Sequence, residues 1–356
     1  MKPRFSGSLV IVSLGLIAYI VYIYFIGVDK ILNLLFRLGF DNISIFVFLA
    51  VAIVFFHSLS WYALLREADS NKLRFREVFS IVVLAFFSGY IIPIGAATEI
   101  VRAALLVIKR KIKTSIAVSS IIIHRIFTTS SVLLLLLFII ILRFFVQGIY
   151  SVSLQVILLV IIYALVIVLP NIGLLGFFGS GFFKNFLERI RVFLEKRRSI
   201  GAKMLFEPGS FVEDFSVYTK KSLFSLNSLL SYTASLIEWV LMIMSMFLLI
   251  YIFTGLSEPF HAIMTAIIIQ MIYWILPLSF ISSIGVADFI MTLALQVVGL
   301  SPYLAASLVI FYRAISFLTI LIMSYPAMRS LGIEDLEKMI RESIKTFYDE
   351  YKKSAT

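Results

Sequence analysis

The fold class is decided by residues 115–142, SIAVSSIIIHRIFTTSSVLLLLLFIIIL, an apolar run long enough to cross a bilayer. A hydrocarbon core of about 30 Å takes about 20 helical residues. Five other segments have the same character: 8–26, 43–65, 152–175, 225–253 and 302–326. Of the 356 residues, 61% are hydrophobic and 14% charged, whereas about a quarter of a soluble domain is charged. We therefore predict an all-α polytopic membrane protein with about six spanning helices.

Four further apolar segments are too short to span: 78–92, 96–108, 261–276 and 286–299. Loops rich in lysine and arginine stay in the cytoplasm, and such loops lie on both sides of 78–108. Both of its ends should then face the cytoplasm, as in a re-entrant helical hairpin. The remaining loop charges predict that 261–299 forms a second hairpin, entered from the opposite face. The alternative is that 78–92 and 261–276 cross the membrane completely.

The distribution of charge also predicts location. The net charge is +11, but the basic residues lie in short loops between apolar segments. This pattern is typical of membrane proteins that meet anionic lipid headgroups, and it argues against nucleic acid as a partner. Because Lys2 and Arg4 precede a first helix that we expect to be retained, we predict a multi-pass protein of the cell (inner or plasma) membrane with both termini cytoplasmic. Residues 1–330 would form one transmembrane domain with a cytoplasmic loop at 178–222, followed by an amphipathic tail at 331–356.

The two hairpin regions resemble each other in sequence. The first has Pro93, Gly95 and Glu99 before His124-Arg125, and the second has Pro277, Gly285 and Asp288 before Tyr312-Arg313. Acid and arginine are 26 residues apart in the first (99 to 125) and 25 in the second (288 to 313). We predict an inverted repeat of units 43–142 and 225–326, an arrangement that places transporter sites near the midplane where broken helices meet. The four Pro and Gly residues would form the helix breaks.

Ionisable residues at membrane depth are costly and mark functional sites by default. The candidates for substrate binding are Glu99, Arg102, His124, Arg125, Glu238, Asp288 and Arg313. Three arginines beside two acids, Glu99 and Asp288, would leave a net positive site suited to phosphate, which the guanidinium fork binds well. The alternative is that the two acids only neutralise Arg125 and Arg313. We expect His57 to be a core histidine.

Metal and cofactor chemistry is not expected. The chain has no cysteine, and its three histidines (His57, His124 and His261) are far apart in sequence, without metal-ligand spacing. No nucleotide-binding loop is visible, so we predict no cofactor and no enzymatic activity.

At these residues the sequence resembles the membrane region of lysyl-phosphatidylglycerol synthases and the stand-alone flippase-like proteins related to it. The resemblance rests on Pro93 through Arg102, His124-Arg125, Pro277 through Asp288, Gly299-Leu300-Ser301, Ala305 and Arg313. The family's second motif usually reads Pro-Gly-Gly-x-Gly with a glutamate after it, whereas this chain has Ile281 to Gly285 with Asp288. Ala96-Ala97 likewise replaces the usual paired glycines. The resemblance implies the lipid-translocating part without the synthase.

Three functions are compatible with this pattern. The first is a flippase that moves an anionic phospholipid or a polyprenyl-phosphate-linked glycan between leaflets. The second is an intramembrane transferase acting on a lipid-linked substrate, with Glu99 or Asp288 as base. The third is a membrane anchor for a separate lipid synthase, which would bind at loop 178–222. Homo-oligomers are also possible.

Overall fold

A computed structural model of the protein describes residues 39–67, 73–91, 97–147, 208–223, 225–254, 286–297 and 300–333, with scattered positions between 17 and 33 and between 161 and 173. Within these ranges the secondary structure is helical, which confirms the predicted all-α class. The helices are α1 (Gly39–Arg66), α2 (Phe75–Ile91), α3 (Ala97–Arg110), α4 (Thr114–Gln147), α5 (Pro208–Leu223), α6 (Leu226–Thr254), α7 (Val286–Val297) and α8 (Pro302–Ser330).

The long helices α1, α4, α6 and α8 are the candidate spans among the described residues. Each contains a stretch long and apolar enough to cross a bilayer, which confirms four of the six predicted segments. The predicted spans 8–26 and 152–175 lie outside the described ranges. Large apolar side chains cover the outer surfaces of the helices, as at Phe48 (70% exposed), Phe138 (55%) and Ile322 (72%). Such surfaces are stable against lipid and would be unfavourable in water.

The α1–α6 contact uses small polar residues. The Ser60 hydroxyl lies 3.0 Å from that of Ser231 and 2.8 Å from that of Ser235, and all three side chains are fully buried. Small residues allow close approach of helix backbones inside a membrane, and their hydroxyl groups then hydrogen-bond across the interface.

Helices α2 and α3 form the predicted first hairpin. Arg110, the last residue of α3, pairs with Glu77 in the first turn of α2 at 2.5 Å. At the other end, a Cβ on Gly89 would lie 2.5 Å from the Thr98 Oγ1, so the two helices touch there. The helices are therefore antiparallel, with their outer ends together. They have 17 and 14 residues, about 26 and 21 Å long, which is less than the core of the bilayer.

The helix ends that were predicted to be cytoplasmic meet on one side of the molecule. Ser80 bonds to Ser330 at the end of α8 (2.6 Å), and Asn227 at the start of α6 donates to Glu67 after α1 (2.5 Å). We call this side the basic face. Its basic residues are Arg66, Arg74, Arg76, Lys109, Arg110, Lys111, Lys113, Lys220, Lys221 and Arg329. Their presence on one side agrees with the charge rule, and the identity of that side as cytoplasmic stays a prediction.

Helix α5 was not anticipated within the predicted loop 178–222. It packs on the basic face, where Lys113 donates to Asp214 (3.1 Å) and the buried Tyr218 hydroxyl donates to the Leu64 carbonyl (2.8 Å). Phe215 is also buried. Only a few apolar residues of α5 contact the rest of the protein, and most of its other residues are hydrophilic. The composition of this segment therefore did not indicate a packed helix.

The second hairpin is described only in part. Its second arm is α7, 12 residues long, packed against α8, while 261–276 and the tail from 334 onward lie outside the described ranges. The domain boundaries and the inverted repeat therefore stay predictions.

Candidate functional site

The candidate site is a cavity of about 270 Å³ between α1, α2, α3, α4, α6 and α8. Two apolar clusters enclose it, one centred on α6, α7 and α8 and the other on α1, α2 and α3. Six predicted site residues line it: Glu99, Arg102, His124, Arg125, Glu238 and Arg313. Asp288 lies next to it, bound to Arg313. The predicted helix-break residues Pro93, Gly95, Pro277 and Gly285 lie outside the described ranges.

The tip of the first hairpin reaches the cavity. Gly89 and Tyr90 at the end of α2, and Thr98 and Glu99 at the start of α3, line its wall. Opposite them is Arg125, about 17 Å along α4 from its first residue at 1.5 Å per residue, which is near the middle of a bilayer. The described ends of α2 and α3 that face the hairpin turn thus lie within the depth of the long helices.

Two ion pairs with the same design flank the cavity. Arg125 donates to Glu99 at 2.8 Å, and the Nε of Arg313 donates to Asp288 at 2.6 Å. In each pair the acid lies in the first turn of a short helix, where the helix dipole favours negative charge, and the arginine lies in the long helix that follows. The spacing of 26 and 25 residues seen in the sequence therefore reflects a contact. This is the neutralising arrangement considered as an alternative, and substrate binding by Arg125 and Arg313 stays a prediction.

Arg102 has different surroundings. Its side chain is 4% exposed and its guanidinium lies 3.9 Å from the centre of the Trp61 ring. It approaches two imidazoles, with NH1 3.5 Å from the Nε2 of His57 and NH2 3.4 Å from the Nδ1 of His124. Its Nε has no hydrogen-bond partner among the described residues. No carboxylate of the described part lies within ion-pair distance of Arg102.

These contacts favour one tautomer of each histidine. Arginine can only donate hydrogen bonds, so the His57 Nε2 and the His124 Nδ1 are acceptors and both rings are neutral in this arrangement. The His57 proton is then on Nδ1, which donates to Glu238 at 2.9 Å. The His124 Nε2 and the second Glu238 oxygen are buried without a partner in the described part. His57, which was expected to be a core histidine, therefore lines the cavity.

The described residues do not give the site the positive charge that was expected. Glu238 faces the same cavity as the three arginines, so the count is three arginines against Glu99, Asp288 and Glu238. With neutral histidines, the formal charge of these described residues is zero. The error arose because Glu238 lies 181 residues from His57, and sequence separation did not place it beside the arginines.

The histidines are far apart in the sequence, but two of them are close together in the structure. Donor atoms of His57, His124 and Glu238 lie within 4.8 Å of one another, and these residue types bind metals in other proteins. The guanidinium of Arg102 lies against both imidazoles, and its positive charge opposes a second cation there. We therefore assign no metal to this cluster.

Comparison with known proteins agrees with the membrane architecture. Residues 8–324 match the family described as the lysylphosphatidylglycerol synthase TM region. No curated protein and no solved structure matches the chain. Since the match covers most of the chain and includes every residue that lines the cavity, the chain belongs to the lysylphosphatidylglycerol synthase TM-region family.

Proposed function

We propose that this protein is a lipid translocase that moves an anionic, phosphate-bearing lipid headgroup between leaflets, without chemical change to the lipid. The observation that carries the proposal is Arg102, a guanidinium buried in a mid-membrane cavity and held by neutral imidazoles instead of a carboxylate. Imidazole nitrogens are weak acceptors for a charged donor. A phosphate would accept charge-assisted, bidentate hydrogen bonds in their place.

The apolar wall of the cavity is compatible with the part of a lipid next to its headgroup, which carries the acyl chains. Phe46, Phe86, Met242 and Phe311 line the wall together with the charged residues. At about 270 Å³ the cavity is at the small end for even a drug-sized ligand. It would therefore take the headgroup while the acyl chains stay among the helices and in the bilayer.

The short hairpin gives the headgroup a route. Helix α3 begins at mid-depth, where its N-terminus favours an anion, and it ends at the basic face. A headgroup at Arg102 would thus lie between the tip of the hairpin and a surface rich in lysine and arginine. The family match supports a role in lipid metabolism at the membrane, and movement of the lipid is the proposal's own addition.

Leaflet exchange in proteoliposomes tests this function. Fluorescent phosphatidylglycerol, a phosphate-bearing probe, should exchange between leaflets, and a fluorescent glycolipid without phosphate should exchange far more slowly. Arg102→Ala should abolish the exchange, and Arg102→Lys should restore it only in part because an ammonium lacks the planar fork. The matched control is Arg329→Ala, an exposed arginine on the basic face. Equal exchange of both probes, or full activity of Arg102→Ala, would contradict the proposal.

A further inference from the structure

The cavity holds a group of titratable side chains that phosphate binding alone does not use. His57 (α1) and His124 (α4) contact Arg102, and Glu238 (α6) contacts His57. Their contacts form a chain in which His124 accepts from Arg102, His57 also accepts from Arg102, and His57 donates to Glu238. The buried Glu238 Oε2 has no partner in the described part of the chain, and an imidazole nitrogen that Arg102 releases gains a free lone pair. This chain can hold one more proton than the arrangement contains.

The additional proton would compensate the negative charge of a bound phosphate, as the charges of the cavity show. Titratable and charged groups line it from every helix that faces His57: Tyr90 (α2), Glu99 and Arg102 (α3), His124 and Arg125 (α4), Glu238 (α6), and Tyr312 and Arg313 (α8). Asp288 lies behind Arg313. Among the residues that the structure describes, and with neutral histidines, three arginines balance three carboxylates. One phosphodiester would therefore leave a charge of −1 inside the membrane, which is unfavourable unless a proton enters as well.

Arg102 links the two events physically. Its NH1 and NH2 groups donate to the ring nitrogens that would accept a proton, so the lone pairs of His57 and His124 are occupied while the cavity is empty. A phosphate bound to Arg102 would draw those N–H groups away. The two lone pairs would then be free, beside a new negative charge that stabilises an imidazolium.

From this geometry we infer that the His57–His124–Glu238 cluster is a proton-binding site, and that the lipid anion crosses together with one proton in an electroneutral step. The inference rests on the proposed function. The proton comes from the side on which the headgroup enters, binds to an imidazole when Arg102 binds the phosphate, and leaves on the other side when the headgroup does. Proton coupling makes the pH gradient, and not the electrical potential, the driving force.

The two driving forces can be separated with the wild-type protein. Reconstituted vesicles of phosphatidylcholine would contain a trace of fluorescent phosphatidylglycerol, and dithionite would report its distribution between leaflets at equilibrium. For proton-coupled movement, a gradient of one pH unit should shift the inner-to-outer ratio about tenfold, and a potential of about 59 mV, set with valinomycin, should leave the ratio unchanged. An anion that moves alone would give the reverse result.

Each outcome has a distinct meaning. No exchange without a gradient overturns the proposed function, and this inference with it. Exchange that responds to potential and not to pH keeps the function and overturns the inference. A His57→Gln, His124→Gln variant should exchange lipid more slowly, because the anion must cross without its proton, and the ratio should no longer shift with pH. A pH response equal to that of wild type would overturn the assignment of the site. Asp214→Asn, on the basic face, is the matched control for loss of a titratable group and should behave as wild type.

Discussion

The two ion pairs beside the cavity should differ in strength, and the structure predicts by how much. The side chains of Arg313 and Asp288 are 18% and 7% exposed, whereas those of Arg125 and Glu99 are 23% and 29% exposed. Breaking a fully buried pair costs about 3–5 kcal/mol, and an exposed pair contributes about 0.2–1 kcal/mol. We therefore expect a coupling energy of about 2–3 kcal/mol for Asp288–Arg313 and about 1 kcal/mol for Glu99–Arg125, since solvent in the cavity screens the second pair.

A double-mutant cycle for each pair measures these energies. The variants are Asp288→Asn with Arg313→Met, and Glu99→Gln with Arg125→Met, each alone and combined. The free energy of unfolding in mixed micelles gives the coupling as the deviation from additivity. Arg329→Met, an exposed substitution, should change stability by less than about 0.5 kcal/mol. A Glu99–Arg125 coupling equal to or greater than that of Asp288–Arg313 would refute the link between exposure and pair strength.

Three further results are expected. Gly89→Ala should lower stability by about 1 kcal/mol because its Cβ would meet Thr98 at 2.5 Å, and Thr98→Ala should relieve that loss in a thermal unfolding assay. Tyr218→Phe should loosen α5, measured by hydrogen exchange, with loss of about 1 kcal/mol. Burial raises the pKa of Tyr218 above its ordinary value of 10.0, so this helix should be fully stable below pH 10 and lose stability as the pH rises further. In the cysteine-free chain, cysteines introduced at Arg329 and at Tyr303 should react with an impermeant reagent from opposite sides of the membrane.

The sequence predicted the long helices well for a simple physical reason. The bilayer sets the length of an apolar run, so 43–65, 115–142, 225–253 and 302–326 correspond closely to α1, α4, α6 and α8. Breaks near proline and glycine, with basic residues outside them, likewise predicted the α2–α3 hairpin. Helix α5 was missed because its stability comes from a few contacts on the basic face, and its composition resembles that of a loop.

The sequence predicted only those parts of the site in which the contacting residues have a regular separation along the chain. Each acid–arginine pair joins a short helix to the long helix that follows, so a separation of 26 or 25 residues could be read from the sequence. The contact of His57 with Glu238 joins helices 181 residues apart. That contact depends on how α1 packs against α6, and no local pattern encodes it. For the same reason the sequence could not give the charge balance of the cavity.

Direct binding of a phosphate headgroup tests the central claim. Short-chain phosphatidylglycerol would be titrated calorimetrically into the purified protein in detergent, with short-chain diacylglycerol as the phosphate-free comparison. We expect saturable binding of the phosphate-bearing lipid alone, and at least a tenfold loss of affinity in Arg102→Ala, since a charge-assisted hydrogen bond contributes about 1.5–3 kcal/mol. Equal binding of the two lipids, or unchanged affinity in Arg102→Ala, would contradict the assignment of this cavity as a headgroup site.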